Sequence, residues 1–115
     1  MADDKKNIKR TKLYKEIRQD LLDQLERNGT YGKFFEDLVE DYMALWVIKN
    51  QLIEDIETRG VTCKYQNGKE QWGFKKNDSV SELSKTNAQM LKLLLQLGIK
   101  AQVPTADNYN EDDEL

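Results

Sequence analysis

The sequence contains no histidine. That removes the side chain most often used as a general base near neutral pH, and the commonest metal ligand with it. Any catalysis would fall to carboxylates. Cysteine is nearly as scarce: Cys63 stands alone, so no internal disulfide forms and nothing in the fold requires an oxidising compartment. No uninterrupted apolar run approaches the roughly 20 residues needed to cross a bilayer, and the first residues lack the apolar stretch of a secretion signal. The expectation is a soluble protein, without membrane contact, that stays in the cytoplasm where it is made. A glycine-rich phosphate loop is missing too, which sets nucleotide hydrolysis aside. No cofactor is implied.

What is present is charge, unevenly placed. The 115 residues carry a net charge of -3, and that average hides two blocks of opposite sign. Lys5, Lys6, Lys9, Arg10, Lys12, Lys15 and Arg18 face only Glu16 among them, a local net charge of +6. At the other end stand Asp107, Glu111, Asp112, Asp113 and Glu114. Blocks of this kind form solvated arms, some of which bind charged partners. The length suits one domain. We expect a basic flexible arm over 1–11, a helical domain over 12–101 and an acidic, disordered tail over 102–115.

Apolar spacing supplies the elements. Leu13, Tyr14, Ile17, Leu21 and Leu25 recur at three- and four-residue steps and predict a helix from Lys12 to Arg27, stopped by Asn28 and Gly29. Phe34, Phe35, Leu38, Tyr42, Leu45, Trp46, Leu52, Ile53 and Ile56 predict a longer one from about Gly32 to Thr58, ended by Gly60. From Val61 to Phe74 the pattern becomes alternation about Asn67-Gly68, the pair favoured in a two-residue type I′ turn. Closing a hairpin on that turn places Val61, Cys63, Tyr65, Trp72 and Phe74 on one face. A two-stranded ribbon is marginal alone, so that face must rest on the helices or on another subunit. A third helix begins at Asn77 or Asp78, with Ser79 and Glu82 in capping-box spacing, and ends at Gly98. Leu91, Leu93, Leu94, Leu95 and Leu97 point around nearly its whole circumference, which in so small a domain implies cover from a second copy. The predicted class is all-α: a helical hairpin of two long helices with an inserted β-hairpin and an extra N-terminal helix, oligomerising.

Each candidate site has a plain alternative. Glu36, Asp37, Glu40 and Asp41, then Glu54, Asp55 and Glu57, offer oxygen ligands for Mg²⁺ in a metal-dependent nuclease; they also read as the solvated back of an amphipathic helix. Neither a base nor a fixed second carboxylate element accompanies them, which favours the latter. Lys5, Lys6, Lys9, Arg10, Lys12, Lys15 and Arg18 suit a phosphate backbone, with Lys75 and Lys76, and beside them Lys64 and Lys69, as a second contact surface. The alternatives are a solubilising arm and lysines that guard an exposed strand edge. No recognition helix rich in Arg, Asn or Gln at base-reading spacing stands out. Trp46 and Trp72 read as core, as interface anchors or as base-stacking platforms. With Leu91, Leu93, Leu94, Leu95 and Leu97 they make up the candidate oligomer interface. Lys49 interrupts an apolar stripe, either snorkelling out or pairing with a carboxylate, and Cys63 reads as a small buried residue.

The order of pieces is itself informative: Asp41-Tyr42, Leu45-Trp46, Lys49, Leu52-Ile53, Asp55-Ile56, Arg59-Gly60-Val61, Tyr65, Asn67-Gly68, Gln71, Gly73, Lys75-Lys76-Asn77, Ser79-Val80, Leu83, Asn87, Gln89-Met90-Leu91 and Leu97-Gly98. Over about Tyr31 to Lys100 this succession resembles the phage terminase small subunits of the P27 family. The resemblance implies a non-enzymatic DNA-packaging subunit in the host bacterial cytoplasm. It further implies assembly into a homo-oligomeric ring, recognition of viral double-stranded DNA, and engagement of a separate large terminase subunit carrying ATPase and nuclease activities. The rival reading of the residues is a helical adaptor that never touches nucleic acid.

Overall fold

The computed structural model describes residues 11–100, with three helices and one hairpin among them. The arm before Thr11 and the tail beyond Lys100, including Lys5, Lys6, Lys9 and Arg10, lie outside the described residues.

Helix α1 spans Lys12–Arg27 and opens on Thr11, whose hydroxyl accepts the Tyr14 N–H at 3.1 Å. It closes where Gly29 turns to φ 73°: the Thr30 N–H reaches back to the Leu25 carbonyl and the Gly29 N–H to that of Glu26. That paired pattern satisfies carbonyls which a helix end otherwise leaves bare. Helix α2 runs Lys33–Arg59, 27 residues or about 40 Å, and stops at Gly60 with φ 84°. Strands β1 (Thr62–Gly68) and β2 (Gln71–Lys76) form an antiparallel pair, and α3 follows over Asp78–Leu97. Gly98 repeats the ending of α1 at φ 71°, with the Ile99 N–H on the Leu94 carbonyl. The two glycine-terminated ends meet, since the Asn28 side chain donates to the Gly98 carbonyl at 3.4 Å.

Helices α2 and α3 run antiparallel, joined by the hairpin. Contacts between residues 55–59 and 77–79 tie their near ends, while Val39 and Met43 share a core with Met90 and Leu97 at the far end. Helix α1 folds back on α2 and closes that far end with Leu21 and Leu25. Tyr14 meets the indole of Trp46 edge to face, centroids 5.8 Å apart. Val39 and Met43 are fully buried and Leu97 nearly so. The predicted helical hairpin, additional first helix and inserted β-hairpin are all present, in a mostly helical domain rather than a purely helical one.

The hairpin register departs from the sequence expectation. Asn67 and Gly68 belong to β1, and the reversal falls on Lys69-Glu70 with an irregularity between Gln66 and Gly68. Thr62 pairs with Lys76, Lys64 with Phe74, Tyr65 with Gly73 and Gln66 with Trp72. A turn centred on Asn67-Gly68 would instead put Cys63 opposite Trp72. The three-residue offset is odd, so it exchanges faces. Cys63 and Tyr65 therefore share a face with Lys75, while Trp72 and Phe74 share the other with Lys64 and Thr62. The register is set at the open end, where the Asn77 N–H donates to the Val61 carbonyl at 2.8 Å.

Candidate nucleic-acid and assembly surfaces

The capping residue of α3 is Asn77, with φ -75° and ψ 116°, and its side-chain oxygen accepts the Ser79 N–H at 2.9 Å. Ser79 lies inside the helix, so its spacing to Glu82 is not the cap. Asn77 is 1% exposed and uses all its side-chain capacity. Its amide donates to Asp55 Oδ2 at 3.1 Å and to the Gly60 carbonyl at 2.9 Å, and its oxygen also accepts from Arg59 Nη2 at 3.0 Å.

Asp55 and Arg59 stand one turn apart at the end of α2 and pair through two 2.8 Å hydrogen bonds. The Ser79 hydroxyl donates to Asp55 Oδ2 at 2.6 Å, and Arg59 Nη1 reaches Cys63 Sγ at 3.7 Å. Hydrogen bonds from Arg59, then Ser79 and Asn77, hold the Asp55 carboxyl well below the usual carboxylate range. Its oxygens are thus engaged by the junction's own donors, Arg59, Ser79 and Asn77. Among the described residues no group of three His, Cys, Asp or Glu side chains is placed to hold a metal ion.

This junction is what sequence reasoning missed. Gly60 reads there as a helix stop, Asn77 as a helix start and Lys75 and Lys76 as phosphate contacts, but nothing in the sequence joins them to Asp55 and Arg59. Arg59, Gly60, Val61 and Asn77 together anchor the base of the hairpin to α2 and α3. The available signal was an Asp-x-x-x-Arg pair at a helix C-terminus, followed by an Asn at the next helix start.

The predicted contact residues fall into separate places. Lys12 and Lys15 are exposed on α1, with Lys12 3.9 Å from Glu16. Arg18 turns to α2 instead, its Nε donating to Glu40 Oε2 at 2.8 Å, and that bond raises its already high pKa. Glu40 and Glu36 border an open cleft of about 570 Å³ between α1 and the start of α2. Lys75 and Lys76 stand exposed at the base of the hairpin, on opposite faces.

The candidate interface residues divide as well. Trp46 and Leu97 lie in the subunit's own core, against which Leu94 packs. Leu93 is half-buried, whereas Leu91 and Leu95 are 64% and 71% exposed. Helix α3 in fact carries two seams. Leu83, Thr86, Met90, Leu94 and Leu97 are buried or half-buried. Val80, Ser84, Ala88, Leu91 and Leu95, all exposed, recur at steps of four and three within about 80° of arc on a 100° per residue helix. Lys85, Gln89, Lys92 and Gln96, all exposed, separate the two seams on one side of the wheel, while on the other side the seams adjoin, with Asn87 between them. Such four-and-three steps with apolar side chains are the pattern of a helix that packs against another helix.

Residues 15–103 match the family described as phage terminase, small subunit. The chain belongs to that family. The match covers all of α2, the hairpin and α3 and nearly all of α1, so the junction and both seams are within it. No match is found among curated proteins or solved structures. Membership ties the chain to phage DNA packaging. No helix among the described residues is long and apolar enough to cross a membrane.

Proposed function

We propose that the chain is a non-enzymatic packaging subunit that works as a homo-oligomeric ring in the host bacterial cytoplasm, binds viral double-stranded DNA, and presents it to a separate large terminase subunit. The observation that carries this reading is the family match over residues 15–103. The exposed seam of α3 supports assembly, since burying a leucine side chain is worth about 1.5–3 kcal/mol and Leu91 and Leu95 stand open in the single subunit. Assembly in turn multiplies weak phosphate contacts.

Lys5, Lys6, Lys9, Arg10, Lys12, Lys15, Lys75 and Lys76 supply those contacts. Arg18, already bridged to Glu40, chiefly holds α1 on α2. Each phosphate neutralised releases counterions, so affinity falls steeply with salt. A labelled duplex titrated with the full chain at a series of salt concentrations tests this directly. The expected result is binding that weakens linearly on a log–log plot. A well-folded, assembled sample that leaves the duplex free even at low salt would leave the helical adaptor as the better description.

A further inference from the structure

The two faces of the hairpin differ: one is partly covered, with Cys63 buried and Gly73 half-buried beside the exposed Tyr65 and Lys75, and the other is fully open. Cys63 is buried on the first, beside Tyr65, whose ring crosses Gly73 closely enough that an added Cβ would meet its Oη at 3.1 Å. The open face consists of Thr62, Lys64 and Gln66 on β1 against Lys76, Phe74 and Trp72 on β2, every one exposed. Trp72 and Phe74 are 55% and 66% exposed. Isolated surface aromatics are unremarkable; two in contact on a ribbon anchored by a buried Asn are not.

The charges on that face indicate what covers it. It holds two lysines and no carboxylate, and Lys64 Nζ sits 4.8 Å from the Trp72 ring centroid, a cation–π contact at its centre. Protein interfaces are depleted of lysine, above all at their cores. Surfaces that hold single-stranded nucleic acid combine cations for the backbone with aromatic rings for the bases. Trp72 and Phe74 meet at 85° with centroids 6.1 Å apart, so only one ring can enter a given stack. In duplex DNA the flat faces of the bases are already covered by their neighbours. An unpaired base offers that face freely.

We infer that the open hairpin face, Trp72 with Lys64 and Lys76, binds unpaired DNA, the indole stacking on a base while the lysines hold the flanking phosphates. This rests on the reading of the chain as a DNA-handling subunit and adds a second mode to it, in which the arm, α1 and the lysines at the hairpin base grip duplex while Trp72 and Lys64 take opened strand, with Lys76 beside them serving both. Trp46 lies in the core, so a change in tryptophan emission on binding reports the exposed indole.

The test uses the full chain with two fluorescein-labelled probes, a mixed-sequence single strand of 15 nucleotides and the blunt duplex of the same sequence. Wild type is expected to bind the single strand with quenching of tryptophan emission. W72A should weaken that binding about 5- to 150-fold and change duplex binding less than twofold. W72F, which keeps a ring, should recover most of the loss, and K64A should flatten the salt dependence for the single strand by about 0.7. Equal single-strand affinity in W72A and wild type would overturn the inference, as would a wild type that binds only duplex. A drop in oligomer mass on W72A substitution would also overturn it, by assigning the face to a contact between copies. Failure of the wild type to bind duplex would instead count against the packaging role.

Discussion

The two ends of the helical pair are held by different physics. At the far end, α1 joins α2 and α3 around Leu21, Leu25, Val39, Met43, Trp46, Met90 and Leu97, an apolar cluster. At the near end a hydrogen-bonded junction of Asp55, Arg59, Asn77 and Ser79 carries the hairpin. The apolar cluster is non-directional and contains no ionisable group, and the Arg18–Glu40 pair beside it is solvent-exposed and contributes little. The polar end fixes an orientation, because each bond constrains an angle as well as a distance, and it depends on the ionisation of one carboxylate. The difference suits a subunit whose bundle supplies stability while its hairpin must point in a set direction.

Substitutions that break one end and spare the other sharpen this contrast. The largest effect is expected from Leu97→Ala, which opens a cavity in the bundle. Chemical denaturation should show a loss of about 2–5 kcal/mol. Asn77→Ala comes next, since it removes the α3 cap and leaves the Gly60 carbonyl and part of the Asp55–Arg59 pair unsatisfied. The cost is about 1–3 kcal/mol, and hydrogen exchange should localise it to β1 and β2. Equal loss of protection in α1 would show that the two ends do not open separately.

Acid should separate the ends without mutation. The folded-state pKa of Asp55 lies below the ordinary carboxylate value. The unfolded chain therefore takes up the proton first on acidification. The contribution of the junction is complete above about pH 4 and is lost as pH falls below that, through the folded-state value. Hairpin amides are expected to lose protection in that range before those of α1, and simultaneous loss would contradict the contrast. The smallest effect is that of Gly98→Ala. A Cβ there meets nothing within 4 Å, so the cost is that of an L-residue in the left-handed region, about 1 kcal/mol, read as a modest drop in thermal midpoint.

The helices were legible because their signals are local. Leu13 to Leu25 and Phe34 to Ile56 repeat at helical steps, and Asn28-Gly29, Gly60 and Gly98 stop the chain where the structure stops it. The register of the hairpin was not legible. Asn67-Gly68 is a strong turn signal, but it competes with pairing at the open end, where Asn77, Val61 and Gly60 are joined through a residue pair on α2 that no local pattern connects to them. That long-range constraint moves the reversal to Lys69-Glu70 and turns Trp72 away from Cys63. The leucines of α3 were legible as an excess of apolar surface, but not their division. Leu94 and Leu97 face the core and Leu91 and Leu95 do not, because the position of α2 decides which seam is used internally.

We propose that copies of the chain meet through this second seam of α3. Light scattering on the eluting full chain and on the Leu91→Asp/Leu95→Asp double variant tests it most directly. We predict a multimer for the parent, and for the variant a lower mass with the helical circular dichroism of the parent retained. A parent that elutes as a folded single copy, or a variant with undiminished mass, would show that the seam does not join copies of the chain.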